Sequence, residues 1–292
     1  MFLQQLVNGI TLGAVYTLLA LSYSLVMGIL GILNLAIAEL FMFGGLTGFT
    51  LIGAGYSIGT ALAAGMAISA LFAVVIEKLA YQPLRDAPLV TPMLSTLGFS
   101  IILQNIAINY WGSDPVQLPA ELLDSRIAIG PIQIGTSQIL VIGVTIVMAC
   151  VLAIVVQSTQ IGRALRAVAE SREIARTLGV AVDRLTLIAF VISGLLAGAA
   201  GVLIGMHYSA ITPYAGADTG LKAIAVMVVG GVTNIWGGLL AGPLIGIAEV
   251  MTVAYGGSQL RDFIVYGIMI LILLIRPQGL LGASRSEWSQ RV

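Results

Sequence analysis

Apolar residues run along the chain in blocks of roughly 20, and polar and charged residues gather in the short intervals between them. The blocks are continuous and do not alternate with period two, so they predict helices and not the strands of a barrel. A helix needs ~20 apolar residues to cross the hydrocarbon core of a bilayer. By that length the candidate spans are about 6–29, 32–54, 58–80, 89–111, 138–157, 184–206 and 260–275. The stretch 219–254 is apolar for too long to be one simple helix. Gly230, Gly231, Gly237 and Gly238 divide it into two shorter pieces meeting at a break, which crosses twice or re-enters. The fold class is therefore all-α and polytopic, with eight to nine membrane segments in a single domain over 1–292.

Composition excludes the water-soluble alternative. The chain is 59% hydrophobic and only 9% charged, against roughly 25% charged residues in soluble domains. Cys150 is the only cysteine and lies inside an apolar run; His207 is the only histidine. No disulfide framework or thiolate metal site is available, and catalysis by convergent titratable groups has little to work with. Formal net charge is zero and no basic face exists for nucleic acid. The first residues include no basic n-region and no small-residue cleavage site, so 6–30 reads as a retained span.

The distribution of charge orients the chain. Residues 157–184 hold Arg163, Arg166, Arg172, Arg176 and Arg184 against Glu170, Glu173 and Asp183; the tail adds Arg276, Arg285 and Arg291 against Glu287. The loop 112–137 holds Asp114, Glu121 and Asp124 against Arg126. By the positive-inside rule the two arginine-rich segments are cytoplasmic and the acidic loop is external. The side of the N-terminus is open, because the first linkers carry no charge.

Glu39 and Glu249 sit inside apolar segments. Carboxylates there are costly and face a bundle interior or a watery path, or are neutral and bonded to a neighbouring helix. Asn34, Gln104 and Asn105 are amides in apolar runs, and leaving them unpaired in lipid costs several kcal/mol. These five residues are the candidates for lining a path. Lys222 begins a hydrophobic segment and is expected to snorkel to the interface. Met42, Phe43, Tyr56 and Trp236 are read as packing or lipid-facing residues. Small residues at i, i+4, as in Gly194/Gly198, Gly201/Gly205 and Gly238/Gly242/Gly246, let helix backbones approach closely.

Residues 162–179, GRALRAVAESREIARTLG, differ from their surroundings. They predict one short, charged, alanine-rich helix in the most basic loop (158–183), with Gly179 suited to a left-handed C-cap. Such a helix either docks a cytoplasmic protein or rests on anionic headgroups.

Taken together, GILNLAIAELFMFGG (31–45), YQPLRDAP (81–88), TLGFSIILQN (96–105), the 162–179 segment, GLKAIAVMVVGGVTNIWGGLLAGPLIGIAEV (220–250) and RPQGLLG (276–282) resemble, in order, the permease family of the high-affinity branched-chain amino acid ABC importers, the LivH/LivM type. The resemblance implies a type II importer-like permease in the bacterial inner membrane. It makes 162–179 the contact with the ATPase, with Arg166, Glu170, Ala175, Arg176, Leu178 and Gly179 as coupling residues and the 175–179 end as the contact surface. It implies a second permease of the same family, two cytoplasmic ATP-binding subunits and a periplasmic solute-binding protein as partners. No G-x-x-x-x-G-K-[ST] loop occurs in the chain, so ATP and Mg are expected on the partner subunits, with no cofactor on this chain. One departure stands out: the family typically has His-Gly before the intramembrane Glu, where this chain has Ile37-Ala38. Relatives handle branched-chain amino acids, urea, short amides and aromatic acids, so the motif does not fix one solute. A secondary transporter driven by an ion gradient is the alternative that Glu39 and the broken 219–254 stretch would serve.

The orientation has a direct test. In a Cys150→Ala background, an impermeant thiol reagent added outside whole cells should label Ser125→Cys and leave Ser171→Cys unlabelled. The reverse pattern would overturn the orientation and the docking assignment together.

Overall fold

The computed structural model describes residues 2–117, 126–129 and 132–282. Glu121, Asp124, Ser125, Arg285, Glu287 and Arg291, named above for their charge or for labelling, lie outside them. The described chain is helical: α1 (Phe2–Leu30), α2 (Ile37–Gly53), α3 (Ile58–Ile76), α4 (Val90–Trp111), α5 (Thr136–Ser158), α6 (Gln160–Glu170), α7 (Arg172–Thr177), α8 (Val182–Tyr208), α9 (Ala215–Gly230), α10 (Ile235–Tyr255) and α11 (Arg261–Ile275). Seven helices are long and apolar enough to cross a membrane, counting α3 with its extension to Leu84 and α11 from Ser258; α2 is a shorter apolar helix. Two short antiparallel pairs, Val116–Gln117 with Ala210–Ile211 and Arg126–Ile129 with Ile132–Gly135, were not part of the all-α expectation. Both fall in segments joining apolar helices, where backbone groups can pair in a ladder because they are outside the apolar blocks.

α1 and α8 form the buried centre, with 83% and 72% of their apolar windows covered, against 22% for α3 and for α4 and 6% for α11. The centre closes through glycine. A Cβ at Gly198 of α8 would lie 2.6 Å from the Ser69 hydroxyl and 2.7 Å from the Gly65 carbonyl of α3. Ser69 in turn donates to the Leu40 carbonyl of α2 at 2.6 Å. Gly246 of α10 meets the Gly9 and Gly13 backbone of α1 in the same way. The predicted small-residue stripes are thus helix contacts, where close approach replaces the missing hydrophobic drive.

The long apolar stretch divides as its glycines suggest. α9 stops at Gly230, and Gly231 follows at φ +106°. Asn234 then caps α10 by accepting from Trp236 N at 3.0 Å and Gly237 N at 3.2 Å. The final carbonyls of α9, Val229 and Gly230, accept from Leu280 N at 2.7 Å and Leu281 N at 3.2 Å. The RPQGLLG segment therefore has a physical role, which is to satisfy the end of a helix that stops short.

Contacts between ends settle which termini share a side. The Gln4 side chain exchanges two hydrogen bonds with the Gln133 backbone, at 2.9 and 3.0 Å, and Gln138 donates to Asn8 at 2.8 Å. The start of α1 therefore lies with the start of α5, at the end opposite the arginine-rich segment, which the charge pattern left open.

Glycine packing predicts unequal costs of added bulk. Gly198→Leu must push α3 from α8, an overpacking cost of ~1–3 kcal/mol or more. At Gly143, an added Cβ meets nothing within 4 Å. Size-exclusion profiles after a heat ramp in detergent should show Gly198→Leu melting several degrees lower or failing to assemble, and Gly143→Leu unchanged. Equal melting would contradict the close α3–α8 contact.

Candidate functional site

The first candidate region is the break between α1 and α2. α1 ends at Leu30, Gly31 takes φ +68°, and the chain runs irregularly to Ile37. Irregular backbone within a membrane bundle is tolerated only where other groups satisfy it. Here the Asn34 Oδ1 accepts from Ala36 N at 3.1 Å, and Leu35 N donates to the Thr96 hydroxyl of α4 at 3.3 Å. Glu39 follows in the first turn of α2, where the partial positive charge of a helix N-terminus favours a carboxylate. Its Oε1 accepts from the Ser100 hydroxyl, midway along α4, at 3.0 Å. Its Oε2 and the Asn34 Nδ2 have no partner among the described residues, although both side chains are almost wholly buried.

Four helices meet at this point. A Cβ on Gly216 of α9 would lie 2.5 Å from the Ala38 carbonyl and 3.4 Å from Glu39 Oε2. One on Gly220 would lie 3.2 Å from the Tyr23 hydroxyl of α1. Leaving a buried polar group unsatisfied costs ~1–3 kcal/mol, and two such groups five residues apart, on either side of the start of α2, make this break a candidate site.

Of the other amides, Gln104 is half-buried one turn beyond Ser100, whereas Asn105 is exposed and donates to Ile101 O of its own helix at 2.8 Å. Asn105 therefore does not join Glu39. The partners that sequence reasoning missed, Thr96 and Ser100, form a polar i, i+4, i+8 stripe with Gln104. That spacing was the signal available in TLGFSIILQN.

Glu249 sits in a different environment. Its Oε1 is held by Lys222 Nζ at 3.1 Å and by Arg261 Nε. Lys222 also pairs with Asp262 at 3.0 Å and Asp218 at 3.7 Å, and Arg261 donates to the Tyr208 hydroxyl at 3.2 Å. The expected snorkelling of Lys222 is corrected: its side chain is 1% exposed. Three carboxylates within reach outweigh the gain from extending to an interface, so the ammonium turns inward. The network ties α9, α10 and α11 to the end of α8, and only Glu249 Oε2 is left without a partner among the described residues.

The arginine-rich end carries the third region. The single helix expected over 162–179 is two, because Ser171 at φ −159° leaves α6 and caps α7, accepting from Ile174 N at 3.3 Å. Gly179 does take the left-handed C-cap, at φ +80°, with Gly179 N bonded to Arg176 O and Val180 N to Ala175 O, both at 3.0 Å. Ala175, expected on a contact surface, is buried at 2% exposure. It faces the protein's own core because Ile174 and Leu178, at 61% and 76% exposure, take the outward side of α7. Arg166, Glu170 and Arg176 are exposed.

Two sets of contacts fix α7. Arg172 donates to the carbonyl of Leu30, the last residue of α1, at 2.7 Å, and its guanidinium lies 5.9 Å from the Tyr81 ring centroid. Asp183 binds both Arg85 and, at 3.6 Å, Arg176. Hydrogen bonding to Asp183 raises the Arg85 pKa above its ordinary value. Among the described residues no group of three His, Cys, Asp or Glu could hold a metal ion.

Comparison with known proteins covers the same span. The family described as branched-chain amino acid transport system, permease component, matches residues 5–273. The high-affinity branched-chain amino acid transport system permease protein LivH of Escherichia coli K12 is 36% identical over 300 residues, covering 98% of this chain and 97% of its own. BraD of Pseudomonas aeruginosa, described in the same terms, is 36% identical over 299 residues at the same coverage. The probable LivH permease of Methanocaldococcus jannaschii is 32% identical over 234 residues, covering 74% of this chain and 71% of its own. With its apolar helices, this is a multi-pass membrane protein, and it belongs to the family of permease components of branched-chain amino acid transport systems.

Proposed function

We propose that the chain is a membrane-spanning subunit of an ATP-driven importer in a cell inner membrane, translocating a branched-chain amino acid or a related small polar solute. The observation that carries this reading is end-to-end similarity to LivH and BraD, at 36% identity over 98% of the chain. A second permease of the family, two cytoplasmic ATP-binding subunits and a periplasmic solute-binding protein complete the assembly in this reading. ATP and Mg bind on the partner subunits. α9 and α10 cross as a pair, giving with α2 the larger count of membrane segments.

The arginine-rich end faces the ATPase. α7 presents Ile174 and Leu178 as an apolar i, i+4 ridge, exposed in the described chain, and such a ridge fits a groove on a partner. Arg172 links the same helix to the end of α1. A displacement of α7 is then passed to Leu30 and on to the irregular segment bearing Asn34, and from there to Glu39. These two residues, with Ser100 and Gln104, line the path; Glu249 serves as the brace that holds the opposite end shut.

Two measurements test the reading. In proteoliposomes containing all subunits, uptake of labelled leucine should require ATP and persist with an uncoupler. Uptake that collapses with the uncoupler and ignores ATP would favour the ion-coupled alternative, in which the unpaired Glu39 carboxylate binds the driving ion. Leu178→Asp should leave the permease folded while lowering ATP-driven uptake at least tenfold, because burying an unpaired carboxylate at a packed contact is costly. Arg176→Ala should retain most activity, since an exposed ion pair contributes only ~0–1 kcal/mol. Full transport by Leu178→Asp would mean that α7 rests on lipid. Glu39→Gln keeps the shape and removes the charge; it should assemble normally and transport poorly, and wild-type uptake by that variant would remove Glu39 from the path.

A further inference from the structure

Beside α7 lies a cleft of about 390 Å³, bounded by the end of α3 and its continuation to Asp86 on one side and by α7 and the start of α8 on the other. That volume is at the small end of the ~300–1,000 Å³ range of ligand pockets, suited to one compact molecule. It opens at the arginine-rich end, where the side chains of Arg176 and Asp183 on its rim are 47% and 55% exposed. Asn34, Glu39 and Ser100 are not among the residues that line it.

The charges of the cleft are not all matched. Arg85, Asp183 and Arg176 satisfy one another. Arg172 has no carboxylate partner among the described residues: it donates to Leu30 O and hydrogen-bonds Tyr81, two of a guanidinium's five donors, and it lines the cleft. Glu77 also lines the cleft; it is 4% exposed and makes no ion pair or side-chain hydrogen bond among the described residues, the cations Lys78 and Arg85 acting on it only from beyond contact distance. It lies on a π-helical turn, Glu77–Tyr81, a distortion that is rare and frequent at functional sites. Burying a carboxylate without a cation is unfavourable, and a guanidinium fork is shaped for a carboxylate. Glu77 and Arg172 thus line the cleft with no ion-pair partner of their own among the described residues.

We infer that this cleft binds the zwitterion of a free amino acid. The ligand's carboxylate takes the open donors of Arg172, its ammonium meets Glu77 with Glu173 at the mouth, and its side chain lies along Tyr81 and Val182. A simple anion would leave Glu77 unpaired and a simple cation would leave Arg172 so; a zwitterion satisfies both. The site is distinct from the path through Asn34 and Glu39. Only its assignment to the cytoplasmic face rests on the orientation proposed above.

The test uses the assembled importer in lipid nanodiscs, where both faces are reachable, without its solute-binding protein. Labelled L-leucine should bind saturably, one per copy of this chain. Unlabelled L-leucine should displace it, while leucinamide, lacking the carboxylate, and isocaproate, lacking the ammonium, should not. Glu77→Gln should weaken binding at least tenfold, and Asn105→Ala, at an exposed position of α4, should leave it unchanged. Absence of saturable binding at millimolar leucine, or equal displacement by either single-charge analogue, would overturn the inference; this arm needs no variant. Binding lost in Glu39→Gln and kept in Glu77→Gln would place the ligand in the path instead. Binding to the permease alone that disappears when the ATPase is present would show that the ATPase fills the cleft. None of these outcomes contradicts the transport reading, which is measured by ATP-dependent uptake.

Discussion

The structure depends on close contact between helix backbones. In lipid, two apolar helices gain little from the hydrophobic effect by meeting, so dispersion and short hydrogen bonds must hold them. Dispersion falls steeply with a gap of even half an ångström or so. Gly198 against Ser69 and Gly65, and Gly246 against Gly9 and Gly13, bring backbones to a separation at which no side chain fits. Ser22 and Ser193, with hydroxyls 2.7 Å apart, add a polar contact of the same kind between α1 and α8. Because these contacts fix α1, α2, α3, α8 and α10 as one packed unit, the less regular parts can be held in place without regular hydrogen bonding of their own.

The interruption between α1 and α2 is the clearest case. Six residues without helical repeat would be untenable facing lipid. They are tolerated because α4 supplies the Thr96 hydroxyl to Leu35 N, and because Asn34 folds back on its own backbone. The break at Gly231 is resolved differently, with the Leu280–Leu281 backbone brought to the exposed carbonyls of α9 and Asn234 serving both ends of the gap. One break is satisfied by side chains of a neighbouring helix and the other by a returning main chain. Among the described residues, the first leaves side-chain donor and acceptor capacity unused, at Asn34 and at the neighbouring intramembrane acid Glu39.

Much of this was legible in the sequence, for identifiable reasons. Hydropathy and length located the helices to within a few residues, and the glycine pairs located the division near residue 231. Left-handed Gly179 was legible because few other residues adopt φ near +80° without strain. What was hidden depends on pairs distant in sequence. Lys222 looked like an interfacial lysine because its partner Glu249 is 27 residues away on another helix. Ser171 looked like a helical residue because helix propensity around it is high; its capping hydroxyl decided otherwise. Ala175 and Ile174 are neighbours in sequence and opposite in exposure, and α7 is too short for periodicity to say which faces out. The irregular start of α2 was invisible because its residues are as apolar as a helix interior.

The two intramembrane carboxylates show how burial alone misleads. Glu39 and Glu249 are equally covered, at 2% and 1% exposure, and hydropathy treats them alike. Glu249 meets two cations, one of them also bound by exposed Asp218 and Asp262, so its charge is spread through a network spanning three helices. Moving any of those helices separates opposite charges in a medium of low polarity, which makes the network a natural fastening. Glu39 has a serine hydroxyl and the N-terminal dipole of a helix, neither of which carries a full charge. Its environment changes little in energy if the hydroxyl is exchanged for another donor. A group that is stabilised weakly and replaceably can take a passing partner and release it, whereas one locked between two cations cannot. The difference between the two acids lies in what surrounds them, and it follows from where the helices stop.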